Sequence, residues 1–253
     1  MLEVDILSKQ FGGLTALTDV SFSVKSGEIV SLIGPNGAGK TTCLNLITGF
    51  IPPSTGRVRY EGIDITGAMP HRIAQRGLIR TFQKTNVLNG LTVFGNVLTA
   101  RHRHGETSLW RTLVGGRAVK RTEQALRDEA AGVIALVGLE DRMEIEAGSL
   151  SCGELRLLEV AIALGGGPKL LMLDEPAAGL NTTEAKHLGE VLKRLIGTRV
   201  EAILLVEHNM ALVMSVSNRL VVLNFGRKIA EGAPEAVRND PQVIAAYLGR
   251  AAA

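Results

Sequence analysis

The sequence predicts an α/β fold: a core of mainly parallel sheet covered by helices, a small antiparallel β subdomain at the N-terminal end, and an inserted α-helical subdomain. Three observations predict it. Apolar runs at 29–33 (broken only by Ser31), 170–173, 203–206 and 220–223 have the length of strands, and their lack of alternation marks strands buried on both faces. Helical stretches around 183–196 and 209–217 alternate with these runs, the order expected of strand–helix–strand crossovers. The segment 86–160, by contrast, reads as mostly helix.

Taken in order, alternation at 4–7 and 20–24 suggests paired antiparallel strands, closed by the turn Lys25-Ser26-Gly27-Glu28. The apolar run 29–33 leads into a glycine-rich turn, and a helical pattern from Lys40 is stopped by Gly49. Gly56, Gly62 and Gly67 punctuate further short strands. From about Leu91 the character is helical, with Leu126, Ala130, Val133, Ile134 and Val137 on one face and Gly138 at the stop. A second helix is expected from 153 to about 164, and 226–253 reads as a strand turn followed by short helices. The division expected within one domain over 1–253 is 1–85 with 161–253 as the core and 86–160 as the insertion.

At 253 residues, with 45% hydrophobic and 21% charged, the chain has ample material for such a core. The net charge of +3 and pI near 9.0 do not separate nucleic acid, anionic lipid and free nucleotide as partners. Cys43 and Cys152 have no metal-ligand spacing, so a reducing compartment is expected and a disulfide framework is not. Residues 1–10 include Glu3 and Asp5 and no apolar stretch of signal-peptide length, and no segment approaches the ~20 apolar residues of a membrane span. The expectation is a soluble, cytosolic chain that reaches a membrane only through a partner.

The most informative stretch is Gly34-Pro35-Asn36-Gly37-Ala38-Gly39-Lys40-Thr41, which fits the phosphate-binding pattern G-x-x-x-x-G-K-[ST] between an apolar strand and a helix. Glycines let backbone N–H groups converge on closely spaced phosphate oxygens at a helix N-terminus. Lys40 supplies a point charge for the β- and γ-phosphates, Thr41 a hydroxyl for Mg²⁺, and Thr42 is placed to reach the α-phosphate. ATP and Mg²⁺ are the ligands this loop implies.

The run 170–173 ends in Asp174-Glu175-Pro176. A carboxylate at the end of a buried strand is costly unless something needs it. Beside a phosphate-binding loop, Asp174 is read as holding Mg²⁺ through its water shell and Glu175 as the general base for the attacking water. Gln83, in Arg80-Thr81-Phe82-Gln83, could ligate Mg²⁺, sense the water and move the inserted lobe. Its plainer reading is a solvated amide. His208, after Val206-Glu207, is by itself more often structural than catalytic.

In order, these pieces resemble the ABC (ATP-binding cassette) ATPases from end to end. The discriminating element is Leu150-Ser151-Cys152-Gly153-Glu154, which looks like that family's LSGGQ signature. The resemblance implies a P-loop NTPase, RecA-like core and ATP hydrolysis. It implies that Ser151 and Gly153 bind the γ-phosphate of ATP held by an opposite subunit, so that two subunits sandwich two ATPs head to tail. It assigns Gln83 to the Q-loop, His208 to the switch that contacts the γ-phosphate, and Ala178-Gly179-Leu180-Asn181 to the D-loop. Phe11 is similar to the aromatic that stacks on adenine; the alternative is a partly buried core phenylalanine.

Within the family, Phe11-Gly12-Gly13-Leu14, Arg80-Thr81-Phe82-Gln83, Pro176-Ala177-Ala178-Gly179-Leu180-Asn181 and Tyr247-Leu248-Gly249 look like the ATPases of branched-chain amino acid uptake systems. That resemblance implies a second ABC ATPase, identical or not, two transmembrane permease subunits and an extracytoplasmic substrate-binding protein, with no nucleic acid. It places the chain at the cytoplasmic face of the inner membrane. Urea, amide and aromatic-acid importers share much of the pattern, and a lipopolysaccharide-type exporter is the nearest competitor. A soluble ABC ATPase of translation or DNA repair fits less well, because the chain has one cassette and only 68 positions separate Gln83 from Ser151. Four positions depart from the family pattern: Cys152 replaces a glycine, Glu154-Leu155 stands where amides are usual, and Asn209 follows His208 where Asp is common. Six Lys/Arg between Arg101 and Arg121 read as a solvated loop or as a contact with anionic lipid headgroups.

Overall fold

The computed structural model describes residues 1–81, 87–101 and 117–248. The strands β1 (Leu2–Phe11) and β2 (Leu14–Val24) form a hairpin, β3 (Ile29–Ile33) runs into the glycine loop, and α1 (Lys40–Ile47) follows it. Next come β4 (Thr55–Tyr60), β5 (Ile63–Asp64), α2 (Pro70–Gln75) and β6 (Leu78–Arg80). The helical part contains α3 (Val93–Arg101), α4 (Arg117–Leu136) and α5 (Cys152–Gly165). Then β7 (Leu170–Asp174), α6 (Thr182–Leu195), β8 (Ala202–Val206), α7 (Met210–Val216), β9 (Arg219–Asn224), β10 (Arg227–Gly232), α8 (Pro234–Arg238) and α9 (Pro241–Leu248) complete the fold.

Two sheets result. The antiparallel sheet has the order β2-β1-β4-β5 and the larger one β10-β9-β3-β8-β7-β6, parallel throughout except for β10. Strands β3, β7 and β8, apolar but for Ser31 and Asp174, are buried at every position, as strands covered on both faces must be. Alternate residues serve different layers. Leu171, Leu173, Ile203 and Leu205 join a core with α3, α4, α5 and α6, while Met172, Leu204 and Val206 pack with α1 and the antiparallel sheet. Ile33, Leu220 and Val222 form a third, smaller core with Val213 of α7, Val237 of α8 and Val243 of α9.

Two elements were not expected from the sequence. Helix α2 begins with Pro70 at its first position, a helix-start signal in a region read only as short strands punctuated by glycines. Strand β6 is three residues long, too short to show a period, and is held as the outer parallel strand beside β7. Helix α5 runs continuously across residue 160, so the helical part and the sheet share it. Among the described residues, no helix is long and apolar enough to cross a membrane.

Candidate functional site

The order of the large sheet decides where the chemistry gathers. Strands β3, β8 and β7 are parallel neighbours, with Leu32 paired to Val206 and Val206 to Asp174. Their carboxyl ends therefore place the glycine loop, Glu207-His208 and Asp174-Glu175 side by side, the position at which open α/β sheets hold ligands.

The loop after β3 is committed to its shape by backbone crowding. Gly34 has φ +148° and a Cβ there would lie 2.1 Å from the Leu223 carbonyl oxygen; Gly39 has φ +104° and a Cβ would meet Leu17 Cδ2 at 2.7 Å. No other residue fits either position without moving β9 or β2. Gly226, in the β9–β10 turn, donates its N–H to the Ala38 carbonyl (3.0 Å) and accepts from Thr18 N–H (2.8 Å). Lys40 is buried, and its Nζ donates to the carbonyls of Gly34 (2.6 Å) and Pro35 (3.1 Å), held along the loop.

Asn36, Gly37, Ala38, Gly39, Lys40, Thr41 and Thr42 line one hollow of about 600 Å³ together with Glu175. Leu14 and Phe225 stand at the same hollow, 69% and 77% exposed, large apolar groups that no core claims. Phe11 does not line it; its ring is half exposed and lies 5.0 Å from Lys9 Nζ.

Glu175 leaves the end of β7 in a left-handed conformation, φ +51°, with its N–H donating to the Val206 carbonyl (2.8 Å). For a residue with a side chain this backbone costs energy, and such strain is a pointer to function. His208 Nδ1 lies 3.8 Å from Glu175 Oε1, with the imidazole largely solvent-exposed. Asp174 is buried; its Oδ2 accepts from Arg80 Nη2 (2.8 Å), and its Oδ1 is buried without a hydrogen-bond partner among the described residues. An orphaned carboxylate oxygen at the strand end beside the glycine loop, with Thr41 in the hollow, fits a hard divalent cation or its bound water.

Ser151 and Gly153 belong to a different hollow, of about 610 Å³, which shares no lining residue with the first. Ser151 caps α5 in a reciprocal pair: its Oγ accepts from Glu154 N–H (3.3 Å) and Glu154 Oε2 accepts from Ser151 N–H (2.8 Å). Arg142 Nε donates to the other oxygen, Glu154 Oε1, at 2.8 Å. The Ser151 N–H holds the Glu154 carboxyl below the usual carboxylate range, against some burial, with the Ser151 hydroxyl and Arg142 adding to it. A Cβ on Gly153 would come 2.8 Å from Glu184 Oε1, so a larger residue there would have to displace the Glu184 side chain, while Cys152 is exposed. Gln83 and residues 102–116 of the basic stretch lie outside the described residues.

Two residues that sequence reasoning left without a role prove central. Arg80, at the end of β6, joins Asp174 to Asn45 Oδ1 (2.6 Å) and Thr48 Oγ1 (3.3 Å) in and just after α1. Glu207 is fully buried between the turn after Glu175 and His208. For Glu207 the signal was the same as for Asp174, a charge after an apolar run; Arg80 follows only Leu78-Ile79 and gave no such signal.

Known proteins carry the same pattern. The ABC transporter family matches residues 17–178, and the family described as branched-chain amino acid ATP-binding cassette transporter matches 227–253. The chain is 43% identical over 251 residues to the high-affinity branched-chain amino acid transport ATP-binding protein BraF of Pseudomonas aeruginosa, covering 99% of this chain and 98% of the relative. It is 42% identical over 251 residues to LivG of Escherichia coli, a protein of the same description, with the same coverage. A nucleotide-free ATP-binding cassette from an ABC transporter superposes with a TM-score of 0.84 at 33% identity, covering 98% of each chain. The ADP conformation of the cassette MJ1267 gives 0.85 at 32% identity, again covering 98% of each. With a domain match over most of its length and relatives of this identity end to end, the chain belongs to the ABC transporter family.

Proposed function

We propose that this chain is the ATP-hydrolysing subunit of an ABC importer that takes up branched-chain or other amino acids. It would sit at the cytoplasmic face of the inner membrane, on two permease subunits, beside a second ABC ATPase and served by an extracytoplasmic binding protein. The observation that carries the ATPase reading is the strained Glu175, which lines the same hollow as Lys40 and Thr41 and lies 3.8 Å from His208. The resemblance of the whole chain to BraF and LivG supports the choice of substrate class.

In this reading the N–H groups of 36–42 and Lys40 hold the phosphates of ATP, with Thr41, Asp174 and Gln83 as the residues that would hold Mg²⁺. When bound, the ion would neutralise charge on the transferring phosphoryl group. Glu175 Oε accepts a proton from the attacking water, and His208 steadies the γ-phosphate side of the site. Ser151 and Gly153 serve the ATP of the opposite subunit, which accounts for their lying in a separate hollow. The helical part, set off at about 86–160 but sharing α5 with the core, passes the change on to the permeases.

Glu175→Gln keeps size and hydrogen bonding while removing the base. Turnover should drop by about 100-fold or more, with ATP still bound. Captured from gently solubilised membranes in the presence of ATP, this variant should bring down two multi-span permeases and a second ATPase. Near-normal turnover would refute the base; recovery of soluble partners alone would refute the importer.

A further inference from the structure

Glu207 directly follows β8 with no exposure to solvent, and among the described residues no salt bridge to it is formed. A carboxylate in such a place must be satisfied by hydrogen bonds. Three backbone N–H groups do this. Oε1 accepts from Ala177 N–H at 2.7 Å, and Oε2 accepts from His208 N–H at 2.9 Å and Asn209 N–H at 3.0 Å.

The two sets of donors belong to different loops. Ala177 lies two residues beyond Glu175 in the turn after β7, a turn closed by Ala178 N–H on the Glu175 carbonyl (3.1 Å). His208 and Asn209 lie in the turn after β8, and the Asn209 side chain goes on to cap α7 by accepting from Leu212 N–H (3.1 Å). One carboxylate thus bridges the loop that carries the base and the loop that carries the switch. A hydroxyl could not serve both, and an amide offers only one accepting oxygen, whereas a carboxylate presents two. Charge-assisted bonds to main-chain donors are also stronger than neutral ones, so the bridge is stiff.

We propose that Glu207 is a positioning residue for hydrolysis: it fixes Glu175 and His208 relative to one another while touching neither nucleotide nor water. The inference rests on the roles proposed for those two residues. The phosphate-binding loop hangs from a different strand, so the cost of losing the bridge falls on turnover and not on nucleotide binding.

Glu207→Gln preserves volume but puts an N–H₂ where an acceptor is needed, breaking one side of the bridge. Glu207→Asp, one carbon shorter, keeps the charge and reaches the adjacent His208 and Asn209 donors but not Ala177. Turnover, KM and equilibrium ATP affinity of the purified full chain are measured for both, with thermal melting as a check on folding. Glu175→Gln and His208→Ala run alongside. Glu207→Gln should lower kcat by about 10- to 100-fold with KM and ATP affinity within about threefold of the parent, and Glu207→Asp should fall between. A kcat within about twofold of the parent, or an ATP affinity that falls in step with kcat, overturns the proposal. If Glu175→Gln and His208→Ala keep parental turnover, the site reading beneath it is overturned too. If they lose turnover and Glu207→Gln does not, only the bridge is.

Discussion

Arg80 and Asp174 meet 2.8 Å apart with 6% and 2% of their side chains exposed. A buried pair of this kind adds little to stability over an apolar pair, but removing one partner strands the other's charge. Arg80→Ala should therefore cost about 3–5 kcal/mol of unfolding free energy, read from urea denaturation; a loss below about 1 kcal/mol would show that Asp174 finds another partner or stays hydrated. At this scale the sequence was most readable where chemistry demands a fixed spacing. The loop 34–41, Asp174 and Glu175 could be named because a glycine pattern and a strand-ending acid pair are local. Arg80 and Glu207 were not, because what gives them roles is a neighbour 94 positions away in one case and 30 in the other. The left-handed backbone of Glu175 was equally hidden, since nothing in Asp-Glu-Pro requires it.

Helix α5 owes its start to the reciprocal cap of Ser151 and Glu154, reinforced by Arg142. Glutamate stands there in place of the usual amide, and its charge gives the helix end a dependence on pH. The folded-state pKa of Glu154 lies below its unfolded value. Its contribution is then fully present above the unfolded pKa and is lost as pH falls through the folded one. Relative to the parent chain, Glu154→Gln should weaken folding at neutral pH and flatten the stability curve between about pH 5 and pH 3. Urea midpoints measured across that range decide it, and parallel curves for the two proteins would sink the idea. The long apolar runs made most strands and helices legible, whereas β6 and α2 were missed because three- and six-residue elements depend on their neighbours.

Across the whole molecule, the largest core does not respect the division between sheet and helices. Val97 of α3, Ile134 of α4 and Leu158 of α5 pack in one cluster with Leu173 of β7 and Leu205 of β8. Leu158→Ala should cost about 2–5 kcal/mol and still leave a single unfolding transition, with helix content and core packing lost together. Two separated transitions would mean that the helical part folds on its own. The order of the sheet has another consequence, for biosynthesis. Strand β3, which carries the glycine loop, lies between β8 and β9, and the loop itself is stitched to Gly226. A chain emerging from the ribosome therefore makes its glycine loop early and cannot stitch it to Gly226 until some 180 residues later. The part made early is finished last: β3 has neither of its neighbours until β8 is made, and its second only with β9.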